Sequence, residues 1–147
     1  MKITKIRNVK TPIRGTEGSA GIDFFVPEDF PKDLCTIQPN ERFFIPSGIK
    51  ANVPDGFALI AFNKSGVALK KGLLVGASVV DSDYQGEIHL HLVNTSYKAV
   101  TIEPGEKLTQ FLLIPVDHRD VTVVEEDELF TEETTRGSGG FGSTGVK

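Results

Sequence analysis

Cysteine is almost missing from this chain: Cys35 stands alone among 147 residues. No intrachain disulfide can form, and a zinc site built on several thiolates is excluded. A reducing, intracellular and cytoplasmic setting is the expectation that follows. Long apolar runs are missing as well. The basic N-terminus (Lys2, Lys5, Arg7, Lys10) is not followed by a hydrophobic stretch, so neither a secretory leader nor a membrane span is expected. Positive charge is also in deficit. Lys and Arg number 16 against 20 Asp and Glu, a net charge of -4. Non-specific nucleic-acid binding, which needs a basic surface, is not expected. A polyanionic ligand would have to be small and met by local cations or a metal. No internal repeat is present.

Glycine (15) and proline (8) are abundant, which favours turns and short strands over long helices. The apolar residues follow that reading. Ile88, Leu90 and Leu92 alternate with Glu87, His89 and His91, the period of a half-buried strand. Phe43–Ile45, Phe57–Ile60 and Phe111–Ile114 are short runs bounded by Pro or Gly, and Val121–Val124 is a further β-branched stretch. Turn signals recur at Pro39-Asn40, Pro46-Ser47-Gly48, Pro54-Asp55-Gly56, Asp81-Ser82-Asp83 and Pro104-Gly105. Many short strands at this spacing predict an all-β, antiparallel sandwich or barrel of one domain. One segment, Ser65–Lys71, is suited to a short helix with Ser65 near its N-cap. Beyond Val124 the chain turns acidic and then Gly-rich, so residues 1–124 are read as the folded domain and 125–147 as a flexible C-terminal arm.

Several segments carry chemistry. Gly137–Gly142 matches a dinucleotide fingerprint in form only, because no βαβ unit surrounds it. Glycines still let backbone N–H groups wrap a phosphate. Arg136 can clamp a phosphate in bidentate fashion, Ser143 and Thr144 add hydroxyl donors, and Phe141 can stack on a base. Such a set suits a lid over a nucleotide. Asp81–Gly86 reads first as a hairpin turn; held between rigid strands it also offers Asp81 as a general base and Tyr84 as a flat wall for a sugar. Asn63-Lys64-Ser65-Gly66 opens the short helix. It reads as an ordinary surface helix start, or as a phosphate-binding N-terminus supported by Lys64 and Lys70. Asp23 is a strand-edge carboxylate, and Gln110 an outward-facing strand residue or a phosphate donor. His89 and His91 share a strand face, read as an exposed polar face because no third metal ligand has suitable spacing.

Taken in order, AGIDF (Ala20–Phe24), NKSG (Asn63–Gly66), GASVVDSDYQGE (Gly76–Glu87), GEKLTQ (Gly105–Gln110) and RGSGGFGSTG (Arg136–Gly145) resemble the five motifs of trimeric dUTP diphosphatases (dUTPases). The resemblance runs from residue 20 to 145. It implies an antiparallel jelly-roll of the dUTPase β-clip kind with at most one short helix. The implied activity is magnesium-dependent hydrolysis of dUTP to dUMP and pyrophosphate, which limits uracil in DNA and supplies dUMP for dTMP synthesis. It also implies a homotrimer whose three sites each draw on all three chains: the second and fourth motifs from one, the third from a neighbour, the arm from the other. By the same resemblance Asp81 activates the attacking water, and Tyr84 packs under the deoxyribose. The backbone of Ala77, Ser78 and Val79 meets the uracil edge. Lys64, Ser65, Gly66, Lys70 and Gln110 serve the phosphates. Arg136, Gly139, Gly140, Phe141, Gly142, Ser143 and Thr144 close over the nucleotide. No direct protein ligand to the metal is implied, with Asp23 reaching it through water.

Three departures from the family pattern stand out. Asn63-Lys64 replaces the usual Pro-Arg, so the charge stays but the planar fork is lost. Ser78 stands where glycine is usual, a substitution that would be strained if the backbone there required positive φ. Lys107 stands where arginine is common. Two alternatives share the fold. A dCTP deaminase needs a glutamate where this chain has His91. A non-catalytic trimeric interaction protein would have no need of Asp81 or the arm.

Overall fold

The structure, a computed structural model, describes residues 1–31, 35–141, 143 and 145. Two compact units divide it, Met1–Asp117 and His118–Lys147.

The first unit is built of short antiparallel strands. A four-stranded sheet has the order β2 (Ile22–Phe25), β11 (Lys107–Pro115), β6 (Phe57–Asn63), β8 (Val79–Val80). A three-stranded sheet has the order β4 (Arg42–Pro46), β9 (His89–Asn94), β7 (Leu73–Val75). Two ribbons complete the unit: β1 (Lys2–Lys5) with β5 (Ile49–Asn52), and β10 (Val100–Thr101) with β3 (Thr36–Ile37). Every ladder is antiparallel. This is the all-β architecture that the alternating apolar pattern and the turn signals predict.

The core sits where the inner faces meet. Phe24, Phe111, Leu59 and Val80 of one sheet join Ile45, Leu73, Leu90 and Leu92 of the other in a single buried cluster. The Phe24 and Phe111 rings pack 4.4 Å apart at a tilt of 45°. Such a pair adds about 1 kcal/mol beyond its buried area. Strand β9 shows why period two matters: Leu90, Leu92 and Asn94 are buried, while His89 is exposed and His91 half-buried. The chain reverses where Pro and Gly stand together. Gly56 and Gly105 have φ of 76°, a conformation that a side chain would oppose.

Among the described residues of this unit one helix forms, α1 (Ser65–Lys71). The sequence places Ser65 near its N-cap; the cap position is Lys64, in extended conformation and without a side-chain capping bond, and Ser65 is the first helical residue. Gly72 ends the helix in the left-handed conformation at φ 66°, the usual stop for a short helix.

Among its described residues the second unit carries one helical turn, α2 (Glu126–Leu129). Val121–Val124 does not form a strand. Val121 and Val123 are more than nine-tenths exposed. A β-branched run needs a ladder partner, and none pairs with it among the described residues.

Candidate functional site

Residues from the second and fourth motifs line one hollow. Lys64 joins Ser65, Gly66 and Val67 from the start of α1, Lys70 and Lys71 from its last turn, and Glu106 and Gln110 from the β10–β11 turn and β11, around a concavity of about 430 Å³. The long ladder between β6 and β11 sets these pieces side by side: Thr109 lies opposite Asn63 and Gln110 opposite Phe62. The Gln110 amide nitrogen donates to the Asn63 carbonyl at 2.8 Å. Gln110 also explains Gly21 in the first motif. A Cβ on Gly21 would fall 2.2 Å from Gln110 Oε1, so a side chain there would displace Gln110 from its present path.

Asn63 and Lys64, where the family motif has Pro-Arg, each make a contact of their own. The Asn63 side-chain oxygen accepts the Val75 N–H at 2.7 Å, tying the end of β6 to the end of β7. The Lys64 ammonium pairs with Asp23 Oδ1. Lys107, the third departure, sits 3.1 Å from the other oxygen, Oδ2. Asp23 is 5% exposed. Burial by itself would push its carboxyl up, but the hydrogen bonds from Lys64 and Lys107 outweigh burial and hold it below the ordinary aspartate value. Each Asp23 oxygen therefore has a lysine partner. Among the described residues no group of three or more His, Cys, Asp or Glu side chains is placed to hold a metal ion.

The third motif forms the turn between β8 and β9. The Tyr84 N–H donates to the Asp81 carbonyl at 3.2 Å, and Asp81 is exposed. The Tyr84 hydroxyl donates to the Glu87 carbonyl at 3.0 Å. Gly86 is needed beneath it, since a Cβ there would lie 2.3 Å from that hydroxyl. Glu87 anchors the far end. Its carboxylate accepts Arg7 Nε at 2.7 Å and Arg7 Nη2 at 3.1 Å, and the Gly48 N–H at 2.8 Å. The bond from Arg7 chiefly, helped by Gly48, holds the Glu87 carboxyl below its ordinary value against the opposing effect of burial. The turn is thus a hairpin turn and a rigid mount at once.

Ala77, Ser78, Val79, Tyr84 and His91 line a second hollow of about 160 Å³, which shares no lining residue with the first. Ser78 is accommodated without strain: the non-glycine residues with positive φ among those described are Asn40 and Phe141. The Ser78 carbonyl accepts the Ala61 N–H at 2.8 Å, extending the β6–β8 ladder.

In the second unit, Arg136 begins a run of tight turns. Its Nε donates to the Gly139 carbonyl at 2.9 Å, and the Gly139 N–H donates to the Arg136 carbonyl at 3.0 Å. Gly140 accepts the Ser143 N–H at 3.0 Å. Phe141, at φ 48°, is fully exposed. Gly142 and Thr144 lie outside the described residues.

Sequence reasoning missed the parts played by Asn63, Arg7 and His91. His91 reads as exposed polar surface from the β9 pattern, yet its Nδ1 accepts the Ala77 N–H at 2.6 Å. His89 Nδ1 instead lies 3.0 Å from the Glu87 carbonyl, so the two imidazoles take separate partners. Only the third dimension joins residues so far apart in the chain.

Comparison with known proteins places these features in a family context. The dUTPase family model matches residues 7–145. The deoxyuridine 5'-triphosphate nucleotidohydrolase of Hydrogenobaculum sp. (strain Y04AAS1) is 40% identical over 99% of this chain and 97% of its own length. That of Paramecium bursaria Chlorella virus 1 is 38% identical over 96% of this chain and 94% of its own. Among solved structures, the dUTPase of Staphylococcus bacteriophage 80alpha superposes with a TM-score of 0.85 at 24% identity, covering 99% of this chain and 98% of that one. The dUTPase from phage phi11 of S. aureus, in a structure that describes coordination of a structural Mg(II) ion, superposes with a TM-score of 0.75 at 21% identity, over 85% of this chain and 96% of that one.

Proposed function

The chain belongs to the dUTPase family, and from that premise we propose how it hydrolyses dUTP to dUMP and pyrophosphate. The start of α1 and Gln110 take the phosphates. Lys64 and Lys70 bring positive charge to the rim, and Ser65 with the Gly66 backbone supplies short-range donors. The Ala77–Val79 backbone meets the uracil edge, and Tyr84 packs beneath the deoxyribose where a 2'-hydroxyl would have to fit. Asp81 accepts a proton from the water that attacks the α-phosphorus in line, and pyrophosphate leaves. Arg136, Phe141 and the glycines around them close over the nucleotide and exclude bulk water.

Magnesium suits this donor set as an ion carried on the substrate. Mg²⁺ usually keeps several waters and binds through phosphates rather than a protein cage, and the described residues provide no cage. When bound, the ion supplies charge neutralisation across the phosphate oxygens. Both Asp23 oxygens are taken by lysines, so Asp23 fits the setting of Lys64 and Lys107 better than the holding of the ion's waters.

The observation that carries the shared-site reading is the separation of the two hollows in a single chain. The phosphate donors line one and the base-reading hairpin lines the other. A second copy of the chain would bring a hairpin to a phosphate hollow, and a third would bring its arm, which gives the homotrimer. The deaminase alternative loses support at His91, whose Nδ1 is engaged by the Ala77 amide.

The test is pyrophosphate release from dUTP, UTP, dTTP and dCTP, with and without magnesium, repeated with Asp81→Asn. The expected result is dUTP selectivity that needs magnesium, with kcat lowered about 10²- to 10⁴-fold in the variant. Equal turnover of UTP would refute the role of Tyr84, and an unaffected variant would refute that of Asp81.

A further inference from the structure

His91 is buried deeper than its place in the strand pattern suggests, and it faces the substrate-reading hairpin. Three neighbours fix its ring. Phe44, directly opposite on β4, stacks on it at 4.1 Å and 11°. Gly76 comes so close that a Cβ there would lie 2.4 Å from Cε1 and Nδ1. The Ala77 N–H donates to Nδ1 at 2.6 Å. Because Nδ1 is an acceptor, the proton of the neutral ring sits on Nε2. That atom is buried with no partner among the described residues. A buried polar atom without a bond is unusual enough to need a reason; here it accompanies a tautomer that the Ala77 amide imposes.

We propose that neutral His91 is a positioning residue for substrate binding, holding the Ala77 amide so that the hairpin keeps the shape that admits uracil. The inference rests on the reading that residues 77–79 meet the base. It adds that the Ala77 N–H is already taken, so the base is read by other groups of the hairpin.

Protonation would undo this arrangement. A second proton can go only to Nδ1, where it would point at the Ala77 N–H, donor against donor. The surroundings oppose it too. Burial chiefly, and the charge of Arg42 on β4 after it, lower the His91 value from the ordinary 6.5. Tyr84, Glu87 and His89 line the same hollow; the Glu87 carboxylate is already paired with Arg7. Strand β7 presents only Leu73, Leu74 and Val75. As pH falls through the lowered value, the ring charges, the Ala77 bond is lost and the hairpin loosens.

Two measurements test this. First, long-range ¹⁵N–¹H spectra of the wild-type protein read the tautomer directly. A proton on Nε2 is expected, and a proton on Nδ1 would overturn the proposal. Second, KM and kcat for dUTP are compared over a pH series from about pH 8 down to the acid limit of folding for wild type, His91→Asn and His91→Leu. Asparagine can place an amide oxygen near the Nδ1 position but cannot charge; leucine offers no acceptor. His91→Leu should raise KM about tenfold at the higher pH with little change in kcat, the effect of one amide left unpaired. His91→Asn should keep KM near wild type there and lose less affinity than wild type on acidification. Protonation of the substrate itself is common to all three and cancels in the ratios. Identical KM values and parallel acid profiles would sink the proposal. Adding dUMP separates the two readings: Ser78 and Val79 amide resonances that do not shift remove the base from this hairpin, and both fall together. Resonances that shift there while His91→Leu leaves KM unchanged remove only the part given to His91.

Discussion

The ammonium of Lys64 ends on the buried carboxylate of Asp23. That pair ties the rim of the hollow beside α1 to the core strand β2, and Lys107 completes it from β11 at 3.1 Å. The side chains of Lys64 and Lys107 are 24% and 41% exposed, so water screens part of each attraction. Asp23→Asn should therefore lower stability by about 2 kcal/mol, less than a fully buried pair would lose. Urea denaturation measures the loss, and an unchanged midpoint would contradict it. KM should rise as well, because Lys64 is then free to leave the rim.

The pH dependence of stability has a definite sign. Asp23 and Glu87 are both held below their ordinary values of 3.8 and 4.5. Their contribution is complete above those values, where both the folded and the unfolded chain carry the charge. It is lost as pH falls through the lower folded values, because the unfolded chain takes up protons first. An acid-unfolding curve of Glu87→Gln should be flatter below about pH 4.5 than that of wild type. Curves of equal slope would show that Arg7 and Gly48 do not stabilise that carboxylate.

Gly21→Ala tests the path of Gln110. The added methyl would sit 2.2 Å from Gln110 Oε1, so the amide must leave the Asn63 carbonyl. Overpacking of this kind costs about 1–3 kcal/mol in stability. KM for dUTP should rise several-fold, and thermal unfolding with steady-state kinetics would show both effects. A variant with native KM would mean that Gln110 does not serve the phosphates.

The arm can be tested without disturbing the strands, since Met1–Asp117 is a compact unit by itself. A chain ending at Thr135 should keep its circular dichroism and lose about a hundredfold in kcat/KM, the order of effect of a misplaced substrate. If sites are shared between copies, mixing that chain with Asp81→Asn should restore part of the activity, because some sites then combine an intact Asp81 with an intact arm. No recovery on mixing would argue for sites complete within one chain.

Much of the strand pattern is legible in the sequence. The period-two run Ile88–Leu92 and the Pro-Gly turns gave short antiparallel strands, since a pleated strand and a reversal at positive φ each demand particular residue types close together in the chain. The same locality left Val121–Val124 misread, because β-propensity says nothing about whether a ladder partner is available. The motifs offered Asp81, Tyr84, Gln110 and the arm as candidates through their resemblance to the family pattern, because each motif is short and contiguous. The sequence could not join Asp23 to Lys64 and Lys107, Gly21 to Gln110, Arg7 to Glu87, or Ala77 to His91. Those contacts span from 14 to 89 residues. What neighbouring residues do to one another is written in their order; which distant side chains share a proton or a charge is decided by strand register, and a one-residue slip in β9 or β11 would turn His91 or Gln110 to the opposite face.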